Sequence, residues 1–257
     1  MGLHANWVAF WTILVKEVRR FTRIWGQTLL PPVITMSLYF VIFGNLIGSR
    51  IGEMSGHDYM AFIAPGLIMM SVITNSYSNV VSSFFGNKFQ HSIEELLVSP
   101  IPNWIVLLGY TLGGVTRGLL IGLIVTLVAL CFVDLPIYSF GLVALTIFFT
   151  AFLFSLGGFL NALFATTFDD ISIVPTFILT PLTYLGGVFY SITLLPEFWQ
   201  NVSLLNPIFH MVNAFRYGFL GITDINLGFA LAMILTTSAL LFGLCLHLLN
   251  KGTGIRQ

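Results

Sequence analysis

Thirty consecutive residues, 104–133, read WIVLLGYTLGGVTRGLLIGLIVTLVALCFV and contain a single charge, Arg117. A hydrocarbon core about 30 Å thick is crossed by about 20 helical residues, because each residue advances a helix by about 1.5 Å. This stretch is therefore long enough to span a bilayer. Five further stretches meet the same requirement, and we predict six spans, at 27–47, 58–84, 104–133, 139–165, 171–190 and 227–249.

The composition supports a membrane protein. Hydrophobic residues make up 57% of the 257 residues, charged residues only 8%, and the mean hydropathy is +0.95. Soluble domains carry about 25% charged residues, so a soluble globular chain is excluded. Ten Lys and Arg balance ten Asp and Glu, and this balance gives no basic excess that would favour a nucleic-acid partner. We expect an all-α polytopic membrane protein.

The loop cations predict its orientation. If the N-terminus is inside, the outer segments contain two cations, Arg50 and Arg216, and the inner segments contain Lys16, Arg19, Arg20, Arg23, Lys88, Lys251 and Arg256. Inner loops of membrane proteins carry an excess of Lys and Arg, which favours N-in and C-in. Prolines and polar residues interrupt the apolar stretch 191–224, so we predict a re-entrant or surface helical pair on the outer side. A seventh span is the alternative.

An amphipathic helix is predicted over residues 6–25. Its apolar stripe recurs at spacings of three and four and consists of Trp7, Trp11, Leu14, Val18, Phe21 and Trp25. Four cations lie opposite this stripe: Lys16, Arg19, Arg20 and Arg23. Such a helix lies in the membrane interface, with aromatic residues at the headgroup boundary. It transmits motion from an inner partner to the first span or serves as a passive anchor, and the pattern does not separate these roles.

The inner loop 85–104 contains a second short helix. Ser92 is placed as its N-cap, Glu95 completes a capping box, and Pro100 ends it. The predicted apolar side comprises Ile93, Leu96 and Leu97, with Phe89 just before it, while Glu94 and Glu95 are available to cations on a partner. The alternative is that this helix packs against its own membrane face.

Arg117 lies near the middle of the third span, where it must face protein or water. We expect it to bond carbonyl oxygens or one of three asparagines, Asn75, Asn79 or Asn161; direct substrate contact is the alternative. Gly114, Gly118 and Gly122 repeat every four residues on the same span. Small residues at this spacing let two helices approach closely, so they indicate packing.

The fifth span is expected to be kinked, because it contains Pro175 and Pro181 and ends near Gly186 and Gly187. It carries hydroxyl and aromatic side chains that suit an amphipathic substrate. Together with Asn75 of span two, the candidate path residues are Phe177, Thr180, Thr183, Tyr184 and Phe189. Kinked spans occur in many polytopic proteins, so a purely structural role remains the alternative.

Several chemistries have no motif in the chain. There is no G-x-x-x-x-G-K-[ST] phosphate loop, so any ATP must be bound by another protein. There is no H-E-x-x-H motif and the five histidines are scattered, which predicts neither an enzyme nor a metal site. No acid lies in the middle of a span, and this disfavours a proton- or sodium-driven carrier. The energy source is therefore expected on a partner.

Seven short motifs occur in a fixed order along the chain: PPVIT at 31–35, PGLIMM at 65–70, EELLVSP at 94–100, FDDIS at 168–172, PLTYLGGVFYS at 181–191, NP at 206–207 and FRYGFLG at 215–221. With them, essentially the whole chain resembles the ABC-2 family of ABC-transporter permeases. The resemblance implies one transmembrane domain, 1–257, of six spans in the bacterial inner membrane. It also implies a permease dimer, expected to be a homodimer, with two copies of a separate P-loop ATPase that binds ATP and magnesium.

The resemblance assigns roles to particular segments. It makes 89–98 the coupling helix that contacts the ATPase, 6–25 the connecting helix and 191–216 the re-entrant helices, and it implies that spans two and five line an export path. We expect the substrate to be amphipathic or lipid-linked, such as a glycolipid, an oligosaccharide or a drug-like molecule. The alternatives are a stand-alone channel or secondary carrier, and a noncatalytic membrane scaffold.

Overall fold

The computed structural model describes residues 2–254, apart from the side chains of Asn45, Glu94 and Leu97. Arg256, one of the predicted inner cations, lies outside this range. The helices are α1 (Leu3–Arg23), α2 (Trp25–Ile51), α3 (Tyr59–Phe89), α4 (Ser92–Val98), α5 (Asn103–Ala129), α6 (Phe140–Phe164), α7 (170–184), α8 (Glu197–Leu204), α9 (Pro207–Leu220) and α10 (Leu227–Lys251). A hairpin of β1 (Glu53–Met54) and β2 (His57–Asp58) joins α2 to α3.

Five helices are long and apolar enough to cross a membrane: α2, α3, α5, α6 and α10. They match five of the six predicted spans, with ends that differ from the predicted ones by up to five residues. This agreement follows because an uninterrupted apolar stretch of sufficient length is visible in sequence whatever the helix packs against.

The predicted span at 171–190 is shorter in the structure. Helix α7 consists of three consecutive five-residue pieces, Asp170–Val174, a π-helical turn Pro175–Leu179, and Thr180–Tyr184. The helix therefore rises about 22 Å, less than a bilayer core. It ends at this point because the chain turns at Gly187, whose φ of +67° is easily adopted only by glycine. The structure thus contains five helices of spanning length among residues 2–254, not six.

Helix α3 forms the centre of the bundle and is buried along nearly its whole length against α5, α6 and α9. Its close contact with α5 depends on the predicted glycine repeat. A Cβ at Gly114 would lie 2.9 Å from the backbone oxygen of Ser76, and one at Gly118 would lie 3.0 Å from the Ser76 Cβ. At Gly122 the neighbour is Val72, whose Cγ2 would be 2.9 Å away. Glycine therefore allows backbone and side chains of α3 to approach α5 directly.

The bundle has two ends. The α4 end contains α4, the start of α5 and the ends of α6 and α10; there Asn103 donates to Asn250 Oδ1 at 2.8 Å. The hairpin end contains the β-hairpin, the start of α6 and the helices α8 and α9; there Ser139 N donates to the Gly218 carbonyl at 2.9 Å. The predicted helical pair in 191–224 corresponds to the largely exposed α8 and the almost fully buried α9.

Candidate functional site

One face of α3 carries a polar residue every four positions: Ser71, Asn75, Asn79, Ser83 and Asn87. Residues at this spacing lie above one another on a helix. The first four are buried and Asn87 is half-buried. From Asn75 onward this polar ladder faces α1 and α5, with the hydrogen bonds described below. Sequence reasoning singled out only Asn75 and Asn79, although the four-residue period was visible.

The last member of the ladder, Asn87, joins four helices at the α4 end. Its Oδ1 accepts from Lys16 Nζ of α1 at 3.4 Å, and its Nδ2 donates to the Tyr110 hydroxyl of α5 at 2.7 Å. Ser92, the first residue of α4, donates through Oγ to the Asn87 carbonyl at 3.1 Å and to its Oδ1 at 3.3 Å. A displacement of α4 therefore acts directly on the end of α3.

The next members bond to an ion pair of α1, in which Glu17 is buried and Arg20 is partly exposed. Glu17 is fully buried, and its Oε1 accepts from Ser83 Oγ at 2.7 Å. Arg20 donates from Nε to Glu17 Oε2 at 3.4 Å and from Nη2 to both Asn79 Oδ1 and the Asn79 carbonyl at 2.8 Å. Burying the Glu17 carboxylate is costly unless it is paired and hydrogen-bonded, so its contacts with Ser83 and Arg20 are needed together.

The predicted division of α1 into two faces was therefore incomplete. Arg20 was placed on the solvent face but is turned into the bundle, whereas Arg19 and Arg23 are exposed. The tryptophans Trp7, Trp11 and Trp25 are exposed as expected for a membrane-facing stripe, but Phe21 of that stripe is fully buried. A third face, comprising Ile13, Glu17 and Phe21, is buried. The Glu17–Arg20 spacing of three residues was the available signal for this face.

The third face of α1 packs against glycines of α5. A Cβ at Gly109 would lie 2.5 Å from Ile13 Cγ2, and one at Gly113 would lie 2.5 Å from Glu17 Cβ. The contacts advance together by four residues on each helix, so α1 and α5 run in the same direction over this region. The same glycine-rich helix thus binds α1 on one side and α3 on another.

Arg117 contacts the ladder one turn further from the α4 end. Its Nη2 donates to Asn75 Oδ1 at 3.1 Å and to the Thr28 carbonyl at 3.4 Å. Asn79 is bonded to Arg20, and Asn161 donates to the Tyr77 hydroxyl at 2.8 Å. Three cations, from α1 and α5, therefore reach three successive asparagines of α3.

The predicted coupling helix corresponds to α4, although it begins differently. The residue before it, His91, has a left-handed φ of 58°, and Ser92 is its first helical residue. Because Ser92 Oγ is bonded to Asn87, the predicted Ser92–Glu95 capping box is absent from the hydrogen bonds of α4. The sharp turn at His91 directs α4 away from the axis of α3.

The α4 surface has a buried and an exposed side. Ile93 is buried and Leu96 half-buried, while Glu95 is exposed. Phe89 belongs to the last turn of α3, is 56% exposed, and contacts the Phe168 ring with a centroid distance of 4.9 Å. The side chains of Glu94 and Leu97 lie outside the described residues. One side of α4 therefore contacts the bundle and the other is accessible, and the contact with a partner stays a prediction.

A groove of about 220 Å³ lies between α3 and α7. Three of the predicted path residues line it, Thr180, Thr183 and Tyr184, and α3 contributes Met70, Thr74, Tyr77 and Ser78. The surface thus combines hydroxyl groups with aromatic and aliphatic atoms. Its volume is below the roughly 300–1,000 Å³ typical of ligand pockets.

The other three predicted path residues lie elsewhere. Asn75 faces Arg117 and not this groove. Phe177 is 74% exposed on the outer side of α7. Phe189 follows the turn after α7 and packs against Phe43 with a centroid distance of 4.9 Å. The direction of Phe177 depends on where α7 is broken, Phe189 lies beyond the end of α7, and Asn75 is turned toward Arg117 of α5.

Arg216, counted from sequence as an outer loop cation, is 1% exposed in α9. Its Nε donates to the Phe62 carbonyl at 3.1 Å and its Nη2 to the Gly187 carbonyl at 2.6 Å, and its Cζ lies 3.9 Å from the Phe62 ring centroid. Arg216 therefore ties α9 to the start of α3 and to the turn that ends α7. Sequence reasoning missed this role, because nothing in the local pattern specifies the carbonyl partners.

Asp170 fixes the other end of α7. Its Oδ2 accepts from the Thr166 amide at 2.8 Å, the Thr167 amide at 2.9 Å and the Thr166 hydroxyl at 2.8 Å. The backbone hydrogen bonds from Thr166 and Thr167 lower the pKa of Asp170 to about 2. The carboxylate is therefore charged at neutral pH and holds the link between α6 and α7.

Comparison with known proteins identifies the family. The ABC-2 type transporter family matches residues 8–220. The chain is 60% identical over 255 residues to the inner membrane transport permease YadH of Escherichia coli (strain K12), covering 99% of this chain and 100% of that protein. It is 24% identical over 256 residues to nodulation protein J of Rhizobium meliloti (strain 1021), covering 96% and 93% of the two chains. With its long apolar helices, the chain is a multi-pass inner-membrane protein and belongs to the ABC-2 type transporter family.

Proposed function

We propose that this chain is the membrane-spanning permease subunit of an ATP-driven exporter. The chain binds no cofactor itself, and a separate P-loop ATPase binds ATP and magnesium. Besides family membership, the observation that carries the proposal is the arrangement of α4. This short helix has an accessible side at the end of the bundle and is bonded through Asn87 to α1, α3 and α5. That arrangement suits a contact that receives motion from a partner.

The proposed topology has six crossings within one domain, residues 1–257, with both termini inside. The α4 end then faces the cytoplasm and carries Lys16, Lys88 and Lys251, as expected of the inner side; Arg19, Arg20 and Arg23 lie further along α1. Helix α7 makes the sixth crossing. Its short length is tolerated if it borders protein or a wet cavity, because irregular backbone is then shielded from lipid. Helices α8 and α9 form the outer re-entrant pair.

Two copies of the ATPase are proposed to dock on two permease copies in a homodimer. The exposed Glu95 and Val98 of α4, with Phe89 beside them, offer a charge and apolar surface for the ATPase. Glu94 lies in the same motif and contributes a second acid. The groove between α3 and α7 is small and open, and the second permease copy would complete it.

The proposed substrate is amphipathic or lipid-linked. The groove presents hydroxyls of Thr74, Ser78 and Thr180 beside the ring of Tyr184, and no charged residue lines it. Closure of the ATPases on ATP would displace α4 and with it α3, which opens the groove outward. The work comes from the different affinities of the ATPases for ATP and its products in the two conformations.

Affinity co-purification from the native membranes tests the proposal. We expect wild type to co-purify a P-loop ATPase, identified by mass spectrometry, and Glu94→Arg with Glu95→Arg to lose it while eluting as a folded protein. The matched control is Glu53→Arg, an exposed acid at the hairpin end, which should retain the ATPase.

The other outcomes are equally informative. An ATPase retained by the double charge reversal would remove both glutamates from the essential docking contacts. Absence of any ATPase from wild type, under conditions that preserve other ABC complexes, would contradict the exporter and favour a stand-alone carrier or a scaffold.

A further inference from the structure

The contacts between α1 and α3 are polar and follow a fixed order. Lys16 meets Asn87, Glu17 meets Ser83, and Arg20 meets Asn79. As the α1 number rises the α3 number falls, so the two helices are antiparallel here. The period of four on α3 gives one polar partner for each turn.

This arrangement fixes the position of α1 along α3. Sliding by one turn would break the hydrogen bonds of Glu17 to Ser83 and of Arg20 to Asn79. Glu17 is fully buried, and a buried carboxylate that loses its donor is strongly disfavoured. These bonds therefore help to hold α1 at its position along α3.

The chain path makes this contact mechanically important. Helix α4 follows directly from α3, whereas α1 is separated from α4 by the whole of α2 and α3. Motion at α4 therefore reaches α1 only through noncovalent contacts, of which the ladder supplies those to α3. The exposed tryptophans and the cations Arg19 and Arg23 of α1 would move with it.

We propose that the polar ladder fastens α1 to α3, so that the two helices move as one body when α4 is displaced. Asn79 and Ser83 are the positioning residues of this joint, acting through Arg20 and Glu17. The motion itself rests on the proposed function, since it requires the ATPase; the fastening does not.

Hydrogen–deuterium exchange of the full chain in nanodiscs tests the fastening without any partner. In Asn79→Leu with Ser83→Ala, the amides of 13–21 should exchange about tenfold faster than in wild type, because hydrogen bonds to charged groups are lost and local opening becomes easier. The control is Ser82→Ala: Ser82 is exposed and its hydroxyl bonds only to carbonyls of its own helix. Unchanged protection in the double variant, or an equal increase in Ser82→Ala, would overturn the proposal.

A second measurement separates positioning from simple stability. With the co-purified ATPase present, exchange is compared before and after trapping with ATP and vanadate. In wild type, peptides of α1, α3 and α4 should respond together. In the double variant, α3 and α4 should still respond while the response of α1 is clearly reduced, since only the Lys16–Asn87 bond and the contacts with α5 remain. If α1 responds as in wild type, the ladder is not needed for α1 to move with α3, and the proposal is contradicted. If no peptide responds in wild type, the exporter function is contradicted, whereas the first measurement still decides the fastening.

Discussion

Helices α5 and α7 were both expected to span the membrane, yet they differ in almost every physical respect. Helix α5 is an uninterrupted 27-residue helix whose glycines seat α1 and α3. Helix α7 contains a π-helical turn between its two α-helical pieces, and of its residues only Thr183 is buried. Both helices contain helix-weakening residues, but in α5 these are glycines and in α7 prolines.

Glycine and proline affect these two helices in different ways. Glycine in α5 removes side-chain bulk, so each position gains close contacts that hold the helix in place. Proline in α7 removes backbone donors and adds no partner in exchange. We therefore expect α5 to be a rigid part of the bundle and α7 to be more easily displaced, as suits a wall of a transport path.

A large effect is expected for Gly114→Leu in α5. The added side chain would collide with the Ser76 carbonyl of α3, and overpacking costs about 1–3 kcal/mol or more. Thermal unfolding in detergent should show a clear loss of stability. Gly243→Leu in α10 is the matched control, since no atom lies within 4 Å of a Cβ there. Equal stability of the two variants would show that α5 is not closely packed.

A second large effect is expected where α7 is anchored. Arg216→Met should leave the Phe62 and Gly187 carbonyls without their donor, and lost hydrogen bonds to a charged group cost about 1.5–3 kcal/mol each. The free energy of unfolding should fall, and amide exchange after residue 184 should accelerate. The exposed Arg50→Met should leave both unchanged. A stable Arg216→Met variant would mean that α7 is anchored by other contacts.

A smaller effect on stability is expected within α7 itself. Thr180→Val removes a hydroxyl that is exposed and donates to the Pro175 carbonyl at 2.9 Å, so the free energy of unfolding should change by about 0.5 kcal/mol or less. Substrate-stimulated ATPase activity of the complex should nevertheless change, since Thr180 lines the groove. A large loss of stability without a change in activity would contradict the comparison with α5.

The smallest effect is expected at the start of α7, and it depends on pH. The pKa of Asp170 is lowered to about 2, from about 3.9 in an unfolded chain. Its stabilising contribution is therefore complete above pH 4 and lost as pH falls toward 2. Amide exchange at Thr166 and Thr167 should be faster in Asp170→Asn than in wild type at pH 5, and the difference should shrink toward pH 2. A difference independent of pH would contradict the assigned carboxylate.

The long spans could be predicted from sequence because length and hydropathy do not depend on what a helix contacts. The end of α7 could not, because the turn at Gly187 is held by Arg216 and by the nearby Phe209 ring, which a Cβ would approach to 3.2 Å. These residues are distant in sequence. The buried face of α1 was missed because an amphipathic pattern distinguishes two faces, and a single acid, Glu17, does not identify a third.

Only part of the candidate site could be predicted from the sequence. The position of α4 followed from a local pattern of stop signals, whereas its first hydrogen bonds depend on Asn87 of the preceding helix. The groove residues Thr183 and Tyr184 lie about one helical turn after Thr180. This short spacing was enough to predict from sequence that the three line the same groove. Asn75 belongs to α3, far from these residues in sequence, and its direction is set by Arg117.

Lys88 is adjacent to Asn87 and points elsewhere. Its Nζ donates to the Leu163 carbonyl at 2.8 Å and to the Ala165 carbonyl at 2.7 Å, at the end of α6. Because successive residues of a helix are about 100° apart, the last turn of α3 is a branch point. Under the proposed function, a displacement of α4 would be passed on along two routes, through Asn87 to α1 and α5 and through Lys88 to the end of α6.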